Sequence, residues 1–313
     1  MQIKRLLKYA GIFLTVLIVF LGLTIPSYNW MRDNVKSARD VHNSRLSPVI
    51  FIPGSDATVD RFDNLFSELN SSTTKHSVIK ITVQKNNTLT VTGKLMPRDL
   101  QPFFVVGFKN NSDGYDNIKK QAKWFDVAMK YLRKHYYFNN FSGVGHSNGG
   151  LIYTLYLEKY FSSDDLGINT LITIATPFNF NEADSEKKTQ MLANMVDDRK
   201  SIPKNLVMYS IAGSTNFTDD GIVPWQSVEA GKYIYQDQVK NYTQITVTGS
   251  KSDHSDLVQN PQVVQIIRSN ALLNNLRIQN QTDIPPKHHP QKKEGSSKTE
   301  SSSKSKSSSS SKK

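Results

Sequence analysis

Phe141-Ser-Gly-Val-Gly-His-Ser-Asn-Gly-Gly150 sets a short apolar run against a serine bracketed by glycines. Leu151, Ile152, Leu155 and Leu157 follow at once, as a helix would place them. Strand, sharp turn and helix form the context in which Gly-x-Ser-x-Gly marks a nucleophile elbow rather than an incidental glycine-rich turn. A serine hydroxyl is a weak nucleophile, so Ser147 must stand clear of the sheet and within reach of a base. The turn that presents it brings backbone segments together, and Gly145 and Gly149 permit this by having no side chain. A helix that starts just after Ser147 aims unpaired backbone N–H groups at a developing negative charge.

Working outward, Ser47 to Asp56 reads as a buried strand ending in a turn, because a continuous apolar run suits a parallel strand covered on both faces. Val78–Val83 and Thr88–Thr92 alternate and predict two strands of a hairpin-like element. Further strands are expected at Phe103–Gly107, Thr170–Ala175, Leu206–Ala212 and Tyr242–Thr248. Ile118, Ala122, Phe125, Met129 and Leu132 mark one face of a helix over Tyr115–Tyr131, and a last helix is expected over Gln262–Leu276. Strands alternating with helices predict an α/β fold around a mainly parallel sheet flanked by helices.

A serine nucleophile needs a base, and the base needs an acid to orient it. Where the serine sits on an elbow, the chain order is serine, acid, histidine. Of seven histidines, His42, His76 and His135 precede the elbow, and His288 and His289 lie near the C-terminus. The side chain of His146 should leave the turn in another direction. His254 remains, in a loop just past a predicted strand, where catalytic groups gather in such sheets. The acid falls in Ala212-Gly-Ser-Thr-Asn-Phe-Thr-Asp-Asp-Gly-Ile-Val-Pro224. Asp220 stands before an apolar stretch that would pin its carboxylate, and Asp219 is the alternative. The oxyanion hole needs two backbone donors, expected from the N–H of Asn148 and of Ser55.

Gly145-His-Ser-Asn-Gly149, Asp220-Gly-Ile-Val-Pro224, His254-Ser255 and Thr176-Pro-Phe-Asn179 together resemble the α/β-hydrolase superfamily. More narrowly, the chain from about Ser47 to Asn275 is similar to Gram-positive cell-surface α/β-hydrolases of formerly unknown function. The resemblance implies a lipase- or esterase-like fold with a Ser147, Asp220, His254 triad. Pro53-Gly54 stands where His-Gly is usual, and Asn148 where Met or Gln is frequent. Backbone donors do not require that histidine. The expected reaction is cleavage of carboxylic esters through an acyl-enzyme, without cofactor or metal. A catalytically inactive surface binding protein and an acyltransferase using the same triad are the alternatives. Residues 178–203 interrupt the strand–helix rhythm, and Met191, Leu192, Met195 and Val196 predict a small amphipathic helix there. It is expected to cap the acyl pocket, the alternative being a crossover helix packed on the sheet.

The two ends differ from the middle. Tyr9 to Ile25 is seventeen residues without a charge, preceded by Lys4, Arg5 and Lys8 and closed by Pro26. With no convincing cleavage site after it, this reads as an uncleaved membrane anchor with its basic end cytoplasmic, which puts the domain outside. A cleaved signal peptide, which would secrete the domain, is the alternative. From Gln291 onward the chain is mostly Lys and Ser, too polar to offset its ordering entropy, and is expected to be disordered. Its lysines suit contact with anionic wall polymers. The net charge of +12 comes mainly from these ends, which leave an ordinary balance between them, so nucleic acid is not an expected partner. With no cysteine, disulfides, a thiol nucleophile and thiolate metal sites are excluded. The expected layout is a membrane anchor or signal segment at 1–30, a polar stalk at 31–46, a hydrolase domain at 47–280 and a tail at 281–313. The expected substrate is an ester associated with lipid or cell wall.

Overall fold

The structure, a computed structural model, describes residues 2–42, 44–71 and 74–272. The expected tail at 281–313 therefore lies outside the described residues. The N-terminal segment is one helix, α1 (Gln2–His42), so the stretch read as a stalk continues the helix as far as His42. Tyr9–Met31 is long and apolar enough to cross a bilayer, and none of it is buried against the rest of the chain. Its Ser and Thr hydroxyls are satisfied internally: Thr15, Thr24 and Ser27 donate to the carbonyls of Gly11, Phe20 and Leu23. That is what an apolar surrounding demands of polar groups. Pro26 lies inside the helix, where it removes a single N–H without ending it.

Val49 begins β1 (Val49–Ile52), and α2 (Asp63–Leu69) follows it. Next come β2 (Val78–Val83), β3 (Leu89–Thr92), β4 (Phe103–Phe108) and α3 (Tyr115–Tyr136). The elbow joins β5 (Asn140–His146) to α4 (Asn148–Lys159). Then follow β6 (Gly167–Ile174), α5 (Gln190–Asp198), β7 (Val207–Ser214), α6 (Trp225–Glu229) and α7 (Lys232–Tyr235). β8 (Asn241–Thr248) and α8 (Pro261–Ile267) complete the domain. A π turn, Arg268–Leu272, succeeds α8. α8 and this π turn together cover the expected final helix as far as Leu272, and residues 273–276 lie outside the described region.

The sheet runs β3-β2-β4-β1-β5-β6-β7-β8. Only the β2–β3 hairpin is antiparallel, and it forms one edge. Alternation along the strands sorts the core into two layers. Val49 and Phe51 join Phe62, Phe66 and Phe103 on the face covered by α2 and α8. Ile50 and Ile52 join the face covered by α3, α4 and α5, where Ile118, Phe125, Met129 and Leu132 of α3 are all buried. Phe51 meets Phe66 edge-on at 4.8 Å and Phe103 at 5.5 Å, contacts worth about 0.5–1.5 kcal/mol each beyond area burial. α2 was not anticipated, although Phe62, Leu65, Phe66 and Leu69 have helical spacing.

Seven strands point the same way, so their C-terminal ends share one edge of the sheet. Ser55 follows β1, Ser147 follows β5, Asp220 follows β7 and His254 follows β8. The chain enters β1 at the opposite edge.

Candidate active site

Ser147 sits between β5 and α4 at φ 53° and ψ −127°, a conformation that costs a non-glycine residue on the order of 1–3 kcal/mol. The surroundings hold it there. Its N–H donates to the Ile174 carbonyl at 2.8 Å, and its own carbonyl accepts from Thr176 Oγ1 at 3.0 Å and from the Gly150 N–H at 3.1 Å. Close packing does the rest. A Cβ on Gly149 would lie 2.1 Å from the Ile52 carbonyl oxygen, and one on Gly54 would lie 2.6 Å from Ser147 Cβ. The turn after β1, Pro53-Gly54, therefore lies directly against Ser147.

Of the two adjacent aspartates, the structure brings Asp220 to the histidine. Asp220 Oδ2 accepts from His254 Nδ1 at 2.8 Å, and Oδ1 accepts from the N–H groups of Ile222 at 3.0 Å and Val223 at 2.7 Å. The carboxylate is 1% exposed. Asp219 is half-buried and accepts from the N–H of Gly221 at 2.8 Å and the hydroxyl of Thr218 at 2.9 Å. Those hydrogen bonds, led by the one from Gly221, hold its pKa below the usual carboxylate value. With Nδ1 of His254 bound to Asp220, Nε2 is left for a reacting group. Among the described residues no hydrogen bond joins Ser147 Oγ to that ring, and in unliganded enzymes this link commonly forms only with substrate.

Ser147, His254, Ser55 and Asn148 line one cleft of about 480 Å³. Among the described residues neither the Ser55 nor the Asn148 backbone N–H has a partner, and Asn148 is the first residue of α4. The Asn148 side chain donates to Asp113 Oδ1 at 2.7 Å, an oxygen that also accepts from the Gly114 N–H. Pro177, Phe180, Ile222 and Val223 give the cleft apolar lining. Asp113 and Arg61 also line the cleft, and sequence reading had passed over both.

The expected cap requires correction. Met191, Leu192 and Met195 of α5 are buried in the core layer that contains α4, and α5 packs on α4 and α7 rather than over the cleft. What the 178–203 segment supplies to the cleft is Phe180 and Asn181. Asn179 anchors this excursion: its amide donates to the Lys187 carbonyl at 2.7 Å and accepts from the Thr189 N–H at 2.8 Å.

A parallel sheet with a strained serine on an elbow and a buried Asp–His pair at the ends of later strands defines an α/β hydrolase. Residues 36–275 match the family described as alpha/beta hydrolase of unknown function (DUF915), and the chain belongs to it. The structure is similar to that of a presumed cell surface hydrolase from Lactobacillus plantarum WCFS1, at 47% identity and a TM-score of 0.67. That match covers 76% of this chain and 98% of the other. A gene product from Listeria innocua is similar at 26% identity and a TM-score of 0.65, over 72% of this chain and 93% of the other. No curated protein matches the chain.

Proposed function

We propose that this protein is a serine hydrolase of carboxylic esters. The observation that carries the reading is the buried Asp220–His254 hydrogen bond, made in the cleft that the strained Ser147 enters. Ser147 Oγ attacks the ester carbonyl carbon and gives its proton to His254 Nε2. Asp220 keeps the other ring proton on Nδ1 and stabilises the imidazolium. Charge on the carbonyl oxygen is met by the N–H groups of Asn148 and Ser55. As the C–O bond breaks, the imidazolium protonates the leaving alcohol, and the acyl group stays on Ser147. Water, deprotonated by His254, then releases the carboxylic acid. The apolar wall of Pro177, Phe180, Ile222 and Val223 suits an acyl chain.

The long apolar N-terminal helix supports anchoring in the cell membrane, and Lys4, Arg5 and Lys8 ahead of it favour an extracytoplasmic domain. The relative described as a cell surface hydrolase agrees with that location. Protease added to protoplasts should digest the domain without permeabilisation, and protection there would refute this topology.

Catalysis is tested with the full chain in detergent on short-chain aryl esters, against Ser147→Ala. Turnover should drop by several orders of magnitude, and a fluorophosphonate should label the wild type alone. Equal rates for the two proteins would refute the assignment. Absence of both turnover and label in a folded wild type would favour a binding protein on a hydrolase fold.

A further inference from the structure

The loop that carries His254, residues 249–256, has no helix or strand of its own, so the imidazole stands only where the loop backbone is held. The peptide of His254 is gripped on both sides. Its N–H donates to the Asp220 carbonyl at 2.9 Å. Its carbonyl accepts from Nε2 of His146 at 3.0 Å. The next carbonyl, that of Ser255, accepts from the Arg61 guanidinium.

His146 is the last residue of β5 and directly precedes the nucleophile. Its ring is buried and lies 4.9 Å from the ring of His254, centroid to centroid. Burial above all, and then the nearby His254 and Arg61, push its pKa well below the ordinary histidine value, so it is neutral. Nδ1 is buried with no partner among the described residues. A neutral ring carries one proton, and here only Nε2 has an acceptor for it. The ring is not a second base for the serine. Its Nε2 is committed to the His254 carbonyl, and the carboxylate of Asp220 is engaged by His254, Ile222 and Val223.

We propose that His146 is a positioning residue, which ties the peptide of His254 to the strand end that presents Ser147, with Arg61 as a second arm. One rigid element then sets both the nucleophile and the backbone of its base. A shift of one would be followed by the other, and their approach would not depend on how the irregular loop settles. Reacting groups misplaced by about 1 Å can lose on the order of 100-fold in rate, so such a tie has kinetic weight. The inference rests on the triad reading given above.

The test compares full-length wild type with His146→Leu, His146→Gln and His146→Asn. Active sites are counted by fluorophosphonate titration, so that kcat refers to sites that fold and react. His146→Leu removes the donor and should lower kcat per titrated site by about 10–100-fold, with KM changed less than about twofold. The longer amide of His146→Gln reaches the same carbonyl and should restore kcat to within about fivefold of wild type. The shorter His146→Asn should behave as His146→Leu does, and it replaces that variant if the leucine protein does not fold. Wild-type kcat per site in the leucine or asparagine variant would overturn the proposal, as would a glutamine variant no better than they are. A purely structural role would lower the melting temperature and the number of titrated sites, leaving kcat per site unchanged. A wild type that neither turns over nor labels would remove the triad reading itself, and the inference with it.

Discussion

Ser147 and His254 face one cleft but are held there by different means. The serine has peptide hydrogen bonds of its own, but its place is set chiefly by close packing: Gly149 on the Ile52 carbonyl, Gly54 on Ser147 Cβ, and Gly145 on the Gly150 amide. The histidine sits on an irregular loop fixed by hydrogen bonds to Asp220, His146 and Arg61. Ser252 adds another, its hydroxyl donating to the Ser214 carbonyl at 3.0 Å. On the serine side the limit is volume, and one added methyl group has no place to go. On the histidine side the limit is donors and acceptors, and a change that keeps the shape can still remove the function. Substitutions of the two kinds should therefore fail in different ways.

The largest effect is expected on the histidine side. Asp220→Asn preserves volume and can still accept from Ile222 and Val223. Its amide N–H₂, however, would donate to Nδ1 of His254 and move the ring proton to Nε2, where the base must be free. We expect kcat on an aryl ester to fall about 10⁴-fold with the fold unchanged, as wrong-tautomer variants of such triads do. Asp219→Asn, one residue away, half-buried and with no bond to His254 among the described residues, should stay within about threefold. Similar losses in both variants would mean that the carboxylates act as a local charge rather than through the single hydrogen bond at 2.8 Å.

On the serine side, Gly149→Ala should cost about 100-fold or more in kcat and lower the melting temperature, because its Cβ would lie 2.1 Å from the Ile52 oxygen. Gly221 is the control. It lies at φ 92° with open space around its Cα, so Gly221→Ala meets only backbone strain, about 1 kcal/mol. That variant should lose a few degrees of stability and keep most of its activity. If the two alanine variants behave alike, packing volume is not what fixes the elbow.

The same contrast explains what could be read from the sequence. The elbow was legible because its constraint is local: glycines flank Ser147, with a strand before and a helix after. His254 was legible by elimination, since it alone follows the serine within the domain. The choice of Asp220 over Asp219 was marked only weakly, by the apolar stretch that follows it. It depends on a turn in which Asp219 pairs with Pro224 and stays half-buried, leaving Asp220 to face in. The contacts of Arg61 and His146 with carbonyls at 255 and 254 span far more chain than any motif window. Met191 and Leu192 misled for another reason. Periodicity reveals that a helix has an apolar face, and a cap and a crossover helix present the same one.

The smallest expected effect on catalysis, and the sharpest check that α4 matters at both of its ends, concerns Glu158. This residue lies near the C-terminal end of the helix that follows Ser147, with both carboxylate oxygens buried and without a partner among the described residues. Burial, reinforced by Asp198, raises its pKa to about 9, and Lys159, which opposes the shift, is paired with Asp198. The unfolded chain would release this proton near pH 4.5, whereas the folded chain keeps it until about pH 9. Stability from this group is therefore fully present below about pH 4.5. It declines as pH rises through the interval to about pH 9, by up to about 1.4 kcal/mol per pH unit. Glu158→Gln mimics the protonated acid and cannot ionise. It should match wild type in urea unfolding near pH 4.5 and exceed it at pH 8 by on the order of a few kcal/mol. Its kcat at pH 6 should stay within about twofold, because the residue is remote from the cleft-lining groups. Parallel pH–stability curves for the two proteins would show that Glu158 ionises freely in the folded state, and its burial would then carry no pH-dependent cost.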